Sequence, residues 1–331
     1  MENCNLKKIS VIGLGYIGLP TAAVFANHNI NVIGVDTNSA VVEIINSGKI
    51  HIIEPQLDEI VKRSVENGFL RATNKVEPSD IFIIAVPTPT DDFNEPDIGF
   101  VTQAVLDISV VLEQGNLIIL ESTCPPGTTK SILKLLVKSR PDLKMPNNLF
   151  HKSDIHFAYC PERVLPGNIL HEIVHNDRVI GGATPKCSEL AKQTYEIIST
   201  GECIISSSPE IAELSKLAEN SFRDVNIAFA NELSMLCDKL SVNVWELIKL
   251  ANRHPRVNIL RPGPGVGGHC IAVDPWFLVN GNEELTKVIK SARIQNKAKT
   301  QHVLDTIERE INQSRSSRVG GQLKIAILGL T

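Results

Sequence analysis

Lys8-Ile9-Ser10-Val11-Ile12-Gly13-Leu14-Gly15-Tyr16-Ile17-Gly18 joins a short apolar run to three glycines in the spacing G-x-G-x-x-G. The apolar run predicts a buried strand, and the small and apolar residues at 19–28 predict a helix. Between a strand and a helix, this spacing is typical of a turn that binds the pyrophosphate of a dinucleotide. The alternative is a glycine-rich turn in another kind of α/β protein.

The three glycines have different expected roles. Gly13 permits the turn, Gly15 lets the pyrophosphate approach the backbone, and Gly18 lets the helix pack closely on the strand. A second predicted strand, residues 31–36, ends in Asp36, a carboxylate that suits the hydroxyls of a ribose. Because the same carboxylate would repel a 2′-phosphate, we expect the cofactor to be NAD rather than NADP.

Further apolar runs continue the alternation of strands and helices. They predict strands at residues 79–86, 116–120, 156–159, 178–182 and 203–205. Runs without polar positions are typical of parallel strands buried on both faces. We therefore expect an α/β fold with a Rossmann-like, doubly wound parallel sheet over residues 1–205. Ligands bind at the carboxyl ends of such strands.

A helical region follows the predicted sheet. Residues 210–251 contain neither Gly nor Pro and show helical periodicity, with one expected break near Ser241. A helix of this length would span ~60 Å. We expect it to connect domains and to form a homodimer surface, because its apolar periodicity is unbroken around Ile227, Phe229, Ala230 and Leu233. A second helix is expected over residues 284–313, within a central helical domain at 206–315.

Lys216 and Asn220 stand at i and i+4 on the long predicted helix, and therefore on one face. An ammonium group beside an amide provides two donors for a developing oxyanion. A solvated helix face is the alternative interpretation of this pair.

Residues 263–274, Gly-Pro-Gly-Val-Gly-Gly-His-Cys-Ile-Ala-Val-Asp, place a cysteine at the end of a glycine-rich segment. A thiol on such a segment suits a nucleophile, and Asp274 stands four residues after Cys270. The alternative is a buried cysteine after a turn, because free cysteines are usually buried.

The bulk composition excludes several classes of protein. The 331-residue chain carries a formal net charge of −4, which argues against a nucleic-acid-binding protein. No apolar run approaches ~18 residues, and residues 1–8 lack the apolar segment of a secretory signal. The seven cysteines form neither a paired framework nor a Cys-x-x-Cys motif. We therefore expect a cytoplasmic protein with no membrane span, no disulfides and no metal site.

The C-terminal residues repeat the opening pattern. Residues 314–321 have the composition of a linker, and residues 322–331 resemble the first strand of another α/β unit. We expect this strand to begin a third, UDP-binding domain, and the chain to be cut short within it.

Taken together, these motifs resemble the UDP-glucose/GDP-mannose dehydrogenase family over the whole chain. The resemblance rests on the glycine turn, Val86-Pro87-Thr88-Pro89, Glu121-Ser122-Thr123, Pro161-Glu162, the Lys216/Asn220 pair and Gly267-Gly268-His269-Cys270 with Asp274. The residues around the cysteine are similar to the branch that oxidises UDP-N-acetylamino sugars.

The resemblance implies a four-electron oxidation of the sugar C6 alcohol by two NAD molecules, in the synthesis of polysaccharide precursors. Cys270 would hold the aldehyde as a thiohemiacetal and then a thioester, which water hydrolyses to the uronic acid. The implied catalytic residues are Cys270, Lys216, Asn220, Asp274, Glu162 and Thr123. The implied NAD contacts are Gly13, Gly15, Tyr16, Ile17, Gly18, Asp36, Val86, Pro87, Thr88 and Thr123. The implied substrate contacts are Glu162, Arg163, Val164, Lys216, Asn220, Arg256, Gly267 and Gly268.

The sequence departs from the family at one catalytic position, since Pro166 stands where the UDP-glucose branch has a second acid. The base for thioester hydrolysis therefore stays open. The expected substrate is UDP-N-acetyl-D-mannosamine, with UDP-N-acetyl-D-glucosamine as the alternative. Two other hypotheses are a two-electron β-hydroxyacid dehydrogenase, which would need no nucleophile, and a truncated dimer that binds NAD without turnover.

Overall fold

The computed structural model describes residues 8–146, 152–316 and 324–326. The chain divides into two compact units. The first comprises Met1–Ala218 with Trp276–Asn280, and the second comprises Glu219–Pro275 with Gly281–Thr331. The division falls inside a continuous helix, whereas the sequence predicts a boundary between residues 205 and 206. The predicted domain limits of 1–205, 206–315 and 322–331 stay predictions.

The helices and strands alternate along the first unit. The strands are β1 Lys8–Ile12, β2 Asn31–Val35, β3 Leu70–Thr73, β4 Ile81–Ile84, β5 Leu117–Leu120, β6 His156–Tyr159, β7 Arg178–Gly182 and β8 Cys203–Ile205. The helices that accompany them are α1 Gly18–Asn27, α2 Ser39–Asn46, α3 Leu57–Glu66, α4 Gly99–Ser109, α5 Thr128–Ser139, α6 Ile169–His175 and α7 Pro185–Tyr195. The remaining helices are α8 Pro209–Leu240, α9 Val244–Ala251, α10 Asp274–Val279 and α11 Lys287–Ser316.

Within the described ranges, eight strands form one sheet in the order β3-β2-β1-β4-β5-β6-β7-β8. The predicted Rossmann-like fold is confirmed. The strand order reverses at β1, because β2 pairs with one side of β1 and β4 pairs with the other. Two details differ from the prediction. β3 was not expected, and β6 pairs with β7 in the antiparallel direction. A short apolar run has the same composition in either direction, so the sequence pattern does not determine strand direction.

Each face of the sheet carries its own buried cluster. Because side chains alternate along a strand, Ile81 and Ile83 of β4 lie in one cluster, while Phe82 and Ile84 lie in the other. The central strands β4 and β5 are therefore apolar at every position, as is typical of a sheet covered by helices on both faces.

The long helix α8 begins at Pro209 and is tied to the first unit by Glu213. The Glu213 carboxylate accepts hydrogen bonds from the backbone N–H groups of Gly127 at 2.6 Å and Thr129 at 2.8 Å. These groups lie at the start of α5, where an acceptor is needed for N–H groups without a helical partner. The contact fixes the start of α8 against the carboxyl-end side of β5.

The predicted break near Ser241 is confirmed, because α8 ends at Leu240 and Ser241 has a left-handed backbone with φ of 54°. With 32 residues, α8 spans ~48 Å, less than the length expected for an unbroken helix. The predicted strand at residues 322–331 lies largely outside the described residues, and the described residues 324–326 are irregular and exposed. Among the residues that the structure describes, no helix has the length and apolar character needed to cross a membrane.

Candidate functional site

The glycine turn joins β1 to α1 at the middle of the sheet. Gly13 has φ of 90°, a backbone conformation that favours glycine. Gly18 lies directly against the Gly13 carbonyl, so that a larger residue would push helix and strand apart. Above Gly15, by contrast, no atom lies within 4 Å of the position that a Cβ would take. This open space over exposed backbone is what the approach of a pyrophosphate requires.

Asp36 stands beside this turn at the end of β2. Its carboxylate accepts hydrogen bonds from the backbone N–H of Leu14 at 3.0 Å and of Asn38 at 2.9 Å. Ile17, at the start of α1, offers no side-chain acceptor to the first N–H groups of the helix. The positive end of α1 and the Asp36 carboxylate therefore fit a dinucleotide with its phosphates at the helix and a ribose at the acid. Tyr16 is half exposed next to them.

The remaining predicted cofactor residues follow neighbouring strands. Val86, Pro87 and Thr88 come after β4, and Thr123 comes after β5. The Ser122 hydroxyl donates to the Val86 carbonyl oxygen at 2.7 Å and so ties the two strand ends together. Because β1, β4 and β5 are adjacent, these segments leave the sheet on the same edge as the glycine turn.

Glu162 follows β6 and belongs to a buried charged cluster. The Arg178 Nη1 atom lies 3.1 Å from Oε2 of Glu162 and 3.9 Å from Oε1 of Glu121. The Tyr195 hydroxyl donates to Oε1 of Glu121 at 2.6 Å, and the Arg178 guanidinium lies 4.3 Å from the centre of the Tyr195 ring. The Arg163 backbone N–H donates to the other Glu162 oxygen at 2.8 Å. Glu162 is therefore held in place from two sides.

The cluster changes the protonation behaviour of its members. Burial raises the pKa of Glu121 to about 7, and the nearby Glu162 charge adds to this effect, whereas Arg178 opposes it. Burial also raises the pKa of the Cys160 thiol to about 12, so that this cysteine is a neutral thiol at ordinary pH. Sequence reasoning did not assign roles to Glu121, Arg178 or Tyr195. The available signal was an arginine opening an otherwise apolar strand, β7.

Cys270 lies in the second unit and is exposed, whereas the other cysteines in the described ranges are buried. Its carbonyl oxygen accepts the backbone N–H groups of Val273 at 3.0 Å and of Asp274 at 2.8 Å, which forms a tight turn into α10. Asp274 is buried at the start of that helix and accepts a hydrogen bond from the Asn220 amide at 2.6 Å. The structure thus brings together three predicted catalytic positions, Cys270, Asp274 and Asn220.

The other predicted residues are placed as follows. Lys216 is half-buried, one helical turn before Asn220 on α8. Arg163 and Val164 are half-buried after Glu162, and Arg256, Gly267 and Gly268 are exposed. Lys216, Glu162 and Thr123 belong to the first unit, whereas Asn220, Asp274 and Cys270 belong to the second. A joint catalytic role for these two sets is therefore a proposal.

Two family models match consecutive parts of the chain. The UDP-glucose/GDP-mannose dehydrogenase family, NAD binding domain, matches residues 7–199, and the central domain of the same family matches residues 210–298. This chain belongs to the UDP-glucose/GDP-mannose dehydrogenase family. The family membership and the glycine turn agree on the cofactor, which is NAD. The chain is an NAD-dependent nucleotide-sugar dehydrogenase.

Curated relatives within the family are more than half identical to this chain over the residues that align. UDP-N-acetyl-D-mannosamine dehydrogenase from Yersinia pestis is 55% identical over 328 residues, which cover 98% of this chain and 78% of the relative. NDP-N-acetyl-D-galactosaminuronic acid dehydrogenase from Ralstonia nicotianae is 56% identical over 304 residues, which cover 92% of this chain and 72% of the relative.

Solved structures share the same architecture. The UDP-D-ManNAc dehydrogenase from Pyrococcus horikoshii has a TM-score of 0.87 at 40% identity and covers 93% of this chain, with 72% of its own chain matched. A 3-hydroxyisobutyrate dehydrogenase from Mycobacterium tuberculosis has a TM-score of 0.59 at 14% identity, covering 87% of this chain and 91% of its own. The second likeness concerns the fold alone.

Proposed function

We propose that this dehydrogenase oxidises the C6 alcohol of UDP-N-acetyl-D-mannosamine to the carboxylate, in the synthesis of polysaccharide precursors. The observation that carries the proposal is the exposed Cys270 beside the buried Asp274–Asn220 pair. A simple alcohol oxidation needs no nucleophile, whereas an oxidation through the aldehyde gains from a covalent adduct that retains the intermediate. The names of the Yersinia pestis and Pyrococcus horikoshii relatives support the choice of sugar.

The reaction balances as one alcohol, one water and two NAD⁺ giving one carboxylate, two NADH and three protons. NAD, when bound, supplies the acceptor for each hydride. The Cys270 sulfur adds to the aldehyde carbon to form a thiohemiacetal, and loss of the second hydride leaves a thioester. Water then attacks the thioester carbon, the C–S bond breaks, and the thiolate is regenerated.

The side chains of α8 provide donors for the oxygen that becomes negative in these steps. An asparagine amide has two N–H groups, and one of them is engaged by Asp274, so the other is available to an oxyanion. We assign Lys216 as the second donor. We assign Glu162 and Thr123 to positioning the attacking water, with Arg178 holding the Glu162 carboxylate. Asp274 orients the Asn220 amide by accepting its hydrogen bond.

We also propose a homodimer formed through α8 and a cytoplasmic location. The seven cysteines support this location, because their number and spacing give no disulfide framework and so fit a reducing compartment.

A panel of UDP-sugars tests the substrate and the stoichiometry together. The chain is incubated with NAD and, in turn, with UDP-N-acetyl-D-mannosamine, UDP-N-acetyl-D-glucosamine and UDP-glucose. We expect the highest kcat/KM with the mannosamine sugar by at least about tenfold, or ~1.4 kcal/mol. NADH formation should reach two per uronate, with the product identified by mass spectrometry.

Three results would each contradict a part of the proposal. One NADH per sugar, with an aldehyde or ketone product, would indicate a two-electron dehydrogenase. NAD binding without turnover of any of the three sugars would favour the hypothesis of an NAD-binding dimer. A preference for the glucosamine sugar would change the substrate and leave the chemistry intact.

A further inference from the structure

Buried polar side chains connect α8 to α11 within the second unit. Arg293 donates to Asp224 Oδ1 at 2.6 Å, Asn231 donates to Asn296 Oδ1 at 2.9 Å, and Lys299 donates to Ser234 Oγ at 2.7 Å. None of the six side chains is more than 8% exposed. We call these three pairs the polar ladder.

The first two pairs of the polar ladder are also connected to each other. Asn296 donates from Nδ2 to Oδ1 of Asp224 at 2.7 Å and to the Asp224 carbonyl oxygen at 3.1 Å. Apolar side chains of similar volume often give equal or greater stability than a buried ion pair. Packing of α8 on α11 therefore does not by itself require these groups, and two of them also contact the backbone of another segment.

Two pairs of the polar ladder reach the segment that carries the cysteine. The Gly263 backbone N–H donates to Oδ1 of Asn231 at 2.9 Å. Nη1 of Arg293 donates to the carbonyl oxygen of Ile271 at 3.4 Å. These contacts hold the backbone at Gly263 and at Ile271, and Ile271 is the residue directly after Cys270. In the third pair, Lys299 donates to the Ser234 hydroxyl, which in turn donates to the Asn231 carbonyl oxygen. Both of these hydrogen bonds lie within α8 and α11.

We propose that Asn231 and Arg293 are positioning residues, which hold the two ends of the segment 263–271 and thereby fix the Cys270 thiol for attack on the aldehyde. This inference rests on the proposed role of Cys270 as the nucleophile. Rigid placement matters because misplacing a reacting group by ~1 Å costs on the order of 10²-fold in rate. A glycine-rich segment that is exposed at residues 267–270 does not by itself provide such placement, since glycine leaves the backbone many accessible conformations.

The test compares Asn231→Ala and Arg293→Met with Lys299→Met, a matched control that removes a buried polar group from the same helix pair. In the control, the Ser234 hydroxyl keeps its hydrogen bond to the Asn231 carbonyl at 2.8 Å. The readouts are hydrogen–deuterium exchange of peptides covering residues 263–273, which does not depend on activity, and the kinetics with UDP-N-acetyl-D-mannosamine and NAD.

We expect faster exchange of this segment in Asn231→Ala and Arg293→Met and parent-like exchange in Lys299→Met. We expect kcat to fall ~10- to 100-fold in the first two variants, with KM for NAD within about twofold of the parent. Arg293→Lys retains the positive charge beside Asp224 and should recover part of the lost kcat. If Arg293→Met fails to fold, Arg293→Lys and Asn231→Ala carry the test.

The proposal is overturned if Asn231→Ala and the Arg293 variants match Lys299→Met in both exchange and kcat. Its failure is distinguishable from failure of the proposed function. If Cys270→Ser makes uronate at the parent rate while the exchange of residues 263–273 still depends on Asn231 and Arg293, the covalent role is wrong. The positioning role for catalysis then fails with it, and only the structural restraint stands.

Discussion

Asn220 donates a hydrogen bond from Nδ2 to Oδ2 of Asp274 at 2.6 Å, although 54 residues separate them in the chain. A carboxylate accepts hydrogen bonds and does not donate them, so the contact orients the amide with its nitrogen toward Asp274. Sequence reasoning paired Asn220 with Lys216 and gave Asp274 only as an implied catalytic residue that follows Cys270. The structure assigns Asp274 a contact with Asn220.

Removing Asp274 should therefore act through Asn220. In Asp274→Ala the Asn220 amide loses its acceptor and becomes free to rotate, so we expect kcat to fall about 10- to 100-fold, or ~1.4–2.7 kcal/mol of barrier. The measurement is a double-mutant cycle with Asn220→Ala on steady-state kcat. We expect the double variant to be little slower than Asn220→Ala alone. Additive losses would show that the two residues act independently.

Changing the exposed cysteine should separate the two oxidations. In Cys270→Ser, the first hydride transfer retains its oxyanion donors, whereas the serine hydroxyl is a weaker nucleophile and its alkoxide a poorer leaving group. We expect uronate formation to fall by several orders of magnitude and an aldehyde or ester adduct to accumulate, as detected by mass spectrometry. The buried controls Cys124→Ser, Cys160→Ser and Cys237→Ser should stay within about tenfold of the parent. Parent-rate uronate formation by Cys270→Ser would rule out the covalent mechanism.

Asp36 should determine the choice between NAD and NADP. Its carboxylate is held by the Leu14 and Asn38 backbone N–H groups, so it cannot easily move away from a 2′-phosphate. We expect Asp36→Ala to narrow the ratio of kcat/KM for NAD over NADP by about tenfold or more, ~1.4 kcal/mol. Asp97→Ala, which changes an exposed carboxylate outside the glycine turn, serves as the control. If Asp36→Ala leaves the ratio of kcat/KM for NAD over NADP unchanged, Asp36 does not determine the choice of cofactor.

The buried Glu121 should make stability depend on pH. Its pKa is raised from 4.5 to about 7 in the folded chain, where it faces Glu162, Arg178, Tyr195, Thr21 and Cys160. Between these values the folded state keeps a proton that the unfolded state has released, so the unfolding free energy falls as pH rises through that window.

Glu121→Gln tests this dependence, because the amide oxygen can still accept the Tyr195 hydroxyl. From pH 5 to pH 8 we expect the parent to lose stability relative to the variant, by on the order of 1–3 kcal/mol. Denaturant unfolding of both proteins at several pH values measures the difference. Parallel curves for parent and variant would show that Glu121 does not titrate in this range.

The exposed apolar side chains of α8 should form the dimer surface. Phe222, Phe229 and Leu236 recur every seven residues, and each is at least half exposed in the single chain. Ala230, which sequence reasoning placed on that surface, is instead fully buried inside the chain. We expect a dimer by light scattering at micromolar concentration, and a monomer for Phe229→Glu, because a buried unpaired charge at an interface is costly. Glu232→Gln, an exposed polar control on α8, should remain a dimer, and a monomeric parent would contradict the proposal.

Local sequence patterns predicted the first unit well because the signals are short in range. The apolar runs of β1, β2, β4 and β5, the glycines at the first turn and the acid that ends the next strand are each set by neighbours within a few residues. The helix break at Ser241 is of the same kind. The antiparallel pairing of β6 with β7 was not predicted, since strand direction depends on how the intervening chain crosses the sheet.

The sequence by itself determined the fold class, the glycine turn, the position of Asp36 at the end of β2 and the presence of one cysteine on a glycine-rich segment. Only the tertiary structure decided that Asp274 holds Asn220, that Arg178 holds Glu162, and that Asn231 and Arg293 hold the ends of the cysteine segment. Periodicity reports which face of a helix or strand is apolar. It carries no information about which polar groups, distant along the chain, will meet in the folded protein. That pairing depends on which elements pack together and on the cost of burying a charge or amide without a partner.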